Sequence, residues 1–260
     1  MNLNLPEKYR IAIEAAIEAS GIVIHFFENQ GFNTQFKLDN SPVTQADLNS
    51  SLLIIEKLSS TNIPVLSEEG EEILYKERKK WKQLWVVDPL DGTKEFIKGS
   101  TEFTINIGLV EDGKPIFGVI AVPVSNLIYF GGKDIGSFKF NFNEETIENA
   151  IKLPVNRTPQ NNLMVTGGGK PPENFYKDFE FISKNFNEIS FVKISSALKF
   201  CKIADGEIDV YPRNYPCMEW DTAAGHAIVQ GIGKEIYQAN NGEILSYNKE
   251  SLYVPYFILV

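Results

Sequence analysis

Leu84-Trp85-Val86-Val87-Asp88-Pro89-Leu90-Asp91-Gly92-Thr93 carries an apolar strand straight into two carboxylates. Pro89 is expected to stop the strand, since proline cannot continue a ladder. Gly92 and Thr93 open a short polar segment, Lys94-Glu95-Phe96-Ile97, that can start a helix. Crowded carboxylates repel unless protonated or bridged by cations. Hard oxygen donors suit Mg²⁺, which combines a few carboxylates with substrate phosphate. Free N–H groups at a helix start attract anions. A metal site beside a phosphate site points to metal-assisted phosphoryl transfer. The competing reading is an Asp-Pro/Asp-Gly surface turn, and this stretch alone leaves both open.

Two more acidic features stand on either side. Ile63-Pro64-Val65-Leu66 reads as a strand running into Ser67-Glu68-Glu69-Gly70. Glu68 and Glu69 are there either as a metal ligand and its assistant or as a solvated surface. The surface reading gains from Glu71 and Glu72, which can start a helix over 71–80. Downstream, Glu219-Trp220-Asp221-Thr222-Ala223-Ala224-Gly225-His226 places Asp221 as the expected cap of a helix, Thr222 to Gln230, closed by Gly231. Its small residues would let that helix pack tightly on another backbone. Asp221 is a cap or a carboxylate aimed with the others at one metal cluster. His226 is assigned packing or solvent and no chemistry.

Thr44 reads as an N-cap with Asp47 in a capping-box position. Leu48, Leu52, Ile55 and Leu58 are expected to form the buried face of the helix that follows. Asp47 is thus a capping carboxylate or one that faces a water in the metal site. Before it, residues 7–29 read as a helix with Tyr9, Ile13, Ile17, Ser20, Ile24 and Phe27 on one face, ended by Gly31. His25 in it is a surface or packed residue. After the central stretch, 104–110, 115–122, 127–130 and the region of Phe138 and Phe140 read as an antiparallel meander, with Glu111-Asp112-Gly113-Lys114 a hairpin turn. Residues 141–149 read as loop. Residues 153–162 are the expected boundary between a first lobe, 1–152, and a smaller second lobe, 153–260. There strands at 163–166, 190–194 and 208–211 alternate with helices at 174–185 and 195–205, and 252–260 is a last strand. Gly167-Gly168-Gly169-Lys170 lacks the spacing and terminal Ser/Thr of a nucleotide P-loop.

The 260 residues suffice for one large domain or two lobes. A net charge of −9 argues against nucleic acid or an anionic membrane as partner, and makes an anionic substrate depend on cations at the site. Cys201 and Cys217 are the only cysteines, so no disulfide framework exists and a reducing cytoplasm is expected. The N-terminal residues lack a basic region and a long apolar run, so no signal peptide is expected. No apolar run reaches membrane-spanning length.

In series, Glu68-Glu69, Asp88-Pro89-Leu90-Asp91-Gly92-Thr93 and Trp220-Asp221-Thr222-Ala223-Ala224-Gly225 resemble the inositol monophosphatase superfamily of Mg²⁺-dependent phosphatases, over nearly the whole chain. Ser41-Pro42-Val43-Thr44-Gln45-Ala46-Asp47, Ser196-Ala197-Leu198-Lys199-Phe200-Cys201 and Tyr211-Pro212-Arg213 look like its CysQ-type branch, the 3′(2′),5′-bisphosphate nucleotidases of sulfur assimilation. The resemblance implies a layered α/β/α/β/α sandwich, an antiparallel-sheet lobe followed by a smaller α/β lobe. It implies a cytoplasmic enzyme, some relatives associating peripherally with membrane, that hydrolyses the 3′-phosphate of adenosine 3′,5′-bisphosphate to give AMP. The runner-up substrates are inositol monophosphate and sugar phosphates; a nucleotide-binding inactive homologue is the non-enzyme alternative. Two or three Mg²⁺ are implied. Glu68, Asp88 and the Leu90 carbonyl would bind the first, and Asp88, Asp91 and Asp221 the second. Glu69 would help with a third or orient waters. Thr93, backed by Asp47, would position and deprotonate the attacking water. Gly92, Thr93 and Lys94 would hold phosphate, beside Glu68, Asp91 and Asp221. Ser196, Lys199 and Arg213 would grip the rest of the nucleotide. Where that branch carries a Ser-Arg-Ser-His-like stretch near the substrate's outer phosphate, this chain has Gly167-Gly168-Gly169-Lys170, and Lys170 is a candidate for the missing charge.

Overall fold

The computed structural model describes residues 3–29, 34–36, 42–154, 162–169 and 188–260. The expected Gly31 stop, the 174–185 helix and Lys170 lie outside them.

α1 (Glu7–Glu28) opens the chain, followed by the short pair β1 (Gln35–Phe36) and β2 (Pro42–Val43). The stripe that α1 buries is mostly alanine: Ala12, Ala15, Ala16 and Ala19, with Ile13, Ser20 and Val23. Of the expected face, Ile13 and Ser20 are buried and Tyr9, Ile17 and Phe27 pack partly buried against the same core, with the alanines filling the middle of the stripe. Tyr9 stacks on Phe117 with ring centroids 3.9 Å apart. α2 (Gln45–Ser59) carries the expected capping box, and Thr44 accepts a hydrogen bond from the Ala46 N–H. Its buried face is Ala46, Asp47, Ser50, Ser51, Ile54 and Leu58, and Leu52 is 68% exposed. The leucine spacing misleads because α2 turns a polar face inward. Ser50 donates to the Pro89 carbonyl at 2.8 Å, and Ser51 and Ser67 share a hydroxyl contact at 3.0 Å.

β3 (Val65–Ser67) leads through Glu68–Leu74 to α3 (Tyr75–Arg78), a single turn where a helix over 71–80 was expected. β4 (Gln83–Asp91) runs through Pro89 instead of stopping there. Its register with the next strand shifts between Asp88 and Asp91, so the proline sits in a bulge, where its missing N–H costs no ladder bond. α4 (Thr93–Ile97) follows. β5 (Thr104–Glu111), β6 (Lys114–Val122), β7 (Leu127–Gly132), β8 (Gly136–Asn141) and β9 (Ile151–Lys152) form the expected meander. The sheet order is β3 to β9 in sequence, antiparallel except between β3 and β4. Asp112 and Gly113 both take positive φ, 48° and 76°, as a tight hairpin requires.

β10 (Asn162–Gly167) pairs in parallel with β11 (Glu188–Lys193). α5 (Leu198–Ala204) is shorter than expected and begins after a turn at Ser195–Ala197. β12 (Tyr211–Arg213) and β13 (Cys217–Met218) precede a 3₁₀ turn, Glu219–Asp221, and α6 (Ala223–Gln230). β14 (Ile236–Gln238), β15 (Tyr253–Val254) and β16 (Phe257–Leu259) complete the small sheets β12-β16-β14 and β13-β15. The expected final strand is thus two strands in two sheets.

Alternation along β4 shows why the large sheet is covered twice. Trp85 and Val87 face α1 and α2, while Leu84 and Val86 face α5, α6 and the C-terminal strands. Gly108 and Gly118, directly paired across β5 and β6, have no room for side chains. A Cβ on Gly108 would lie 2.8 Å from the Ala224 nitrogen, and one on Gly118 would strike the Ala224 carbonyl. α6 therefore lies backbone to backbone on the sheet, as its small residues suggested, and Asp221 just before it comes within reach of Asp88.

Candidate active site

Three chain segments deliver the carboxylates. Glu68 follows β3, its N–H donating to the Val87 carbonyl at 3.0 Å. Asp88 sits at the β4 bulge, 2% exposed, and accepts the Leu90 N–H at 3.0 Å. Asp221 ends the 3₁₀ turn and accepts the Met218 N–H at 2.9 Å. It does not cap α6, whose N-cap is Thr222. Carboxylate oxygens of Glu68, Asp88 and Asp221 lie within 4.8 Å of one another. They line a cavity of about 610 Å³ with Leu90, Asp91, Gly92, Thr93 and Lys94. Asp91 accepts from the Asn106 side chain at 3.4 Å. Glu69 is half-buried in the turn after Glu68 and does not line this cavity.

So many acids in one place perturb each other. Burial, then Glu68, Asp91 and Asp221, raise the Asp88 carboxyl well above its usual range. Burial and Asp91 push Asp221 up to about 6. Burial also raises Asp91, against the pull of Lys199 and Arg213. A cation relieves all three, and an all-oxygen donor set is what a hard divalent ion takes. The residues present therefore fit a metal.

Asp47 holds both of its expected roles at once. Its Oδ2 accepts the Thr44 N–H at 2.8 Å and the Thr44 hydroxyl at 2.5 Å. Its Oδ1 faces the Thr93 hydroxyl at 3.0 Å. The single Thr93 proton has a second acceptor, the Leu90 carbonyl at 3.2 Å. Burial raises the Asp47 pKa in spite of these bonds.

A second cavity, of about 440 Å³, abuts the first through Asp91, Gly92, Lys94 and Asp221. It contains Ser196, Lys199 and Arg213, the three residues that the resemblance assigns to the nucleotide. Lys199 is 3% exposed, and burial draws its pKa down to about 8. Its ammonium donates to the Ser196 carbonyl at 2.5 Å and the Ile194 carbonyl at 3.4 Å. It thereby braces Ser196, held at φ 51°. Arg213 donates to the Tyr211 hydroxyl (2.9 Å), the Pro216 carbonyl (3.1 Å) and the Tyr215 carbonyl (3.4 Å), and stands 4.0 Å from Asp221. Its guanidinium lies 4.4 Å from the Tyr215 ring centre.

Sequence reasoning missed Tyr215, whose ring supports Arg213 and whose hydroxyl accepts the Gly168 N–H at 3.1 Å. The aromatic spacing Tyr211-x-Arg213-x-Tyr215 was the available signal. It also missed Glu102, which accepts the Ser195 N–H at 3.0 Å and steadies the turn before α5; nothing in the local pattern marks it. His226 is fully buried between Tyr247, at 3.0 Å, and Glu235, away from both cavities.

A double-covered sheet ending in this carboxylate cluster defines a class. A profile of the inositol monophosphatase family matches residues 4–256, and the chain belongs to that family. Its members are metal-dependent, in keeping with the acidic cluster. Among curated relatives, the 3′(2′),5′-bisphosphate nucleotidase CysQ of Salmonella typhimurium is 38% identical, covering 85% of this chain and 86% of its own. That of Haemophilus influenzae is 35% identical, over 93% and 88%. The solved structure of CysQ from Bacteroides thetaiotaomicron, a bacterial member of the inositol monophosphatase family, superposes with a TM-score of 0.86 at 38% identity, over 99% and 98% of the two chains.

Proposed function

We propose that this chain is a Mg²⁺-dependent 3′(2′),5′-bisphosphate nucleotidase that hydrolyses the 3′-phosphate of adenosine 3′,5′-bisphosphate, releasing AMP and phosphate. The observation that carries the reading is the shared wall of Asp91 and Asp221 between an acidic cavity and one holding Lys199 and Arg213. A substrate with two phosphates needs cationic help in both places. The first cavity sets Lys94 against Glu68, Asp88, Asp91 and Asp221 and so needs bound ions besides, while the second has Lys199 and Arg213 built in.

Glu68, Asp88, Asp91, Asp221 and the Leu90 carbonyl would hold two or three Mg²⁺. When bound, the ions supply Lewis-acid stabilisation of phosphoryl charge and make water more acidic. Thr93 orients the attacking water, and Asp47 accepts a proton through it. The raised pKa of Asp47 improves it as a base. Glu69 orients neighbouring waters. N–H groups of Gly92 and Thr93, with Lys94, receive the reacting phosphate. The Arg213 guanidinium has donors left over for the second phosphate, and the braced Ser196 turn faces the nucleoside.

Residues 1–152 and 153–260 act as one functional unit, because the site draws on both. No described helix is long and apolar enough to cross a membrane. Both cysteines are buried free thiols, which supports action in the cytoplasm. The test is Mg²⁺-dependent phosphate release from adenosine 3′,5′-bisphosphate, with inositol 1-phosphate alongside and Asp88→Asn as control. Preference for the nucleotide, lost in the variant, is expected. Preference for inositol phosphate would overturn the substrate, and release from neither would overturn the enzyme.

A further inference from the structure

A second buried charge network lies behind the metal cavity and touches none of it. Glu219, with its side chain fully buried, takes no part in the carboxylate cluster although it stands two residues from Asp221. Its Oε1 accepts the Lys249 ammonium at 2.6 Å and the Lys249 N–H at 3.1 Å, and its Oε2 accepts the Asn248 N–H at 2.6 Å. Asn248 is held at φ 57° and exchanges two bonds with Arg78: its Oδ1 accepts from the guanidinium and its Nδ2 donates to the Arg78 carbonyl, both at 2.9 Å. Arg78, 3% exposed, also donates to the carbonyls of Ile73 (3.0 Å), Lys249 (3.1 Å) and Glu250 (3.4 Å).

The network therefore joins two arms that sheet pairing does not join. One is the segment from Glu68 to α3, anchored by Arg78. The other is the 3₁₀ turn that presents Asp221, anchored by Glu219. Residues 246–250, which form no regular element, carry the network from one arm to the other. Buried ion pairs contribute little net stability against apolar replacements, because desolvation offsets attraction; their attested use is to impose one geometry. A geometry has to be imposed here. Glu68 and Asp221 repel each other and Asp88. The docking of α6 and the Glu68 bond to Val87 seat each arm on the sheet separately. The network is a hydrogen-bonded tie that runs from one arm to the other. We infer that Glu219, Lys249, Asn248 and Arg78 form a strap that holds Glu68 and Asp221 at ion-binding separation in the metal-free protein, with Glu219 and Asn248 as positioning residues for the metal site. This rests on the metal reading of the site and extends it.

The strap is tested by Mg²⁺ calorimetry on the full chain without substrate, comparing wild type, Glu219→Gln and Asn248→Gly. The glutamine keeps the shape and removes the charge. The glycine keeps the positive φ and removes both bonds to Arg78. Each variant is expected to bind Mg²⁺ roughly 10- to 100-fold more weakly, the usual cost of losing an outer partner of a metal ligand. At saturating Mg²⁺, kcat and KM should match wild type. Variants that lose thermal stability yet bind Mg²⁺ as tightly as wild type would overturn the strap and leave the metal reading intact. A wild-type protein that binds no Mg²⁺ would overturn both. Should Glu219→Gln fail to fold, Asn248→Gly decides alone.

Discussion

Tyr215 and Gly168 compete for the same space. The phenol oxygen of Tyr215 accepts the Gly168 N–H at 3.1 Å and lies 2.5 Å from where a Cβ on residue 168 would stand. A side chain at 168 is accommodated only if the Tyr215 phenol moves away.

Gly168→Ala should therefore push the Tyr215 ring aside and loosen the Arg213 guanidinium stacked on it. A buried cation–π contact contributes about 0.5–2 kcal/mol, so KM for the bisphosphate should rise roughly 2- to 30-fold. Steady-state kinetics should show kcat little changed, since the carboxylate cluster is untouched. A fall in kcat with KM constant would place this pair elsewhere in the reaction.

The hydrogen bond from Thr93 to Asp47 predicts a shared phenotype. Thr93→Ala and Asp47→Asn should each lower kcat by about 10²- to 10⁴-fold, the range for loss of proton transfer. The double variant should be no worse than the poorer single one. Additive losses would show that the two act independently.

On the proposed metal site, proton and cation should compete for Asp221, whose carboxyl is pushed up to about 6. Apparent Mg²⁺ affinity should climb as pH rises to about 6 and level off above it. In the metal-free protein the raised folded pKa means that the fold favours the protonated acid. Stability should then decline as pH rises from about 4 through about 6. Saturating Mg²⁺ should cancel or reverse that slope. Melting curves against pH, with chelator and with Mg²⁺, measure it, and parallel slopes would count against the cluster as the ion site.

Gly118 makes the tightest prediction on stability. Gly118→Ala would drive a methyl into the Ala224 carbonyl, backbone against backbone, where nothing flexible can yield. A cost of about 3 kcal/mol is expected, or a Tm lower by roughly 6–12 °C. An unchanged Tm would mean that α6 does not sit on the sheet as described.

The meander from Thr104 to Asn141 was legible because its alternation and its Asp112-Gly113 turn are local signals. The four acidic positions of the site were legible as types and order, and the structure brings Glu68, Asp88 and Asp221 together. What could not be read was which face each helix buries. α2 hides Ser50 and Ser51 and exposes Leu52 because the residues it meets are the polar ends of β3 and β4. Pro89 misled for a similar reason: a bulge removes the ladder bond that proline would have broken. Glu102 and the Glu219 network act through contacts distant in sequence, which no local pattern carries, whereas Tyr215 had a local signal in its spacing from Arg213.

The seating of α6 on Gly108 and Gly118 also bears on when the site comes into being. Asp88 and Asp221 stand about half the chain apart, so their meeting closes one of the longest loops in the molecule. Such closures are late and slow in folding. The meander can form with only the Asp88 end of the ion site in place, and the chain becomes competent for chemistry only once its last quarter has docked. Appearance of activity during refolding should therefore report completion of the whole molecule rather than formation of its central sheet.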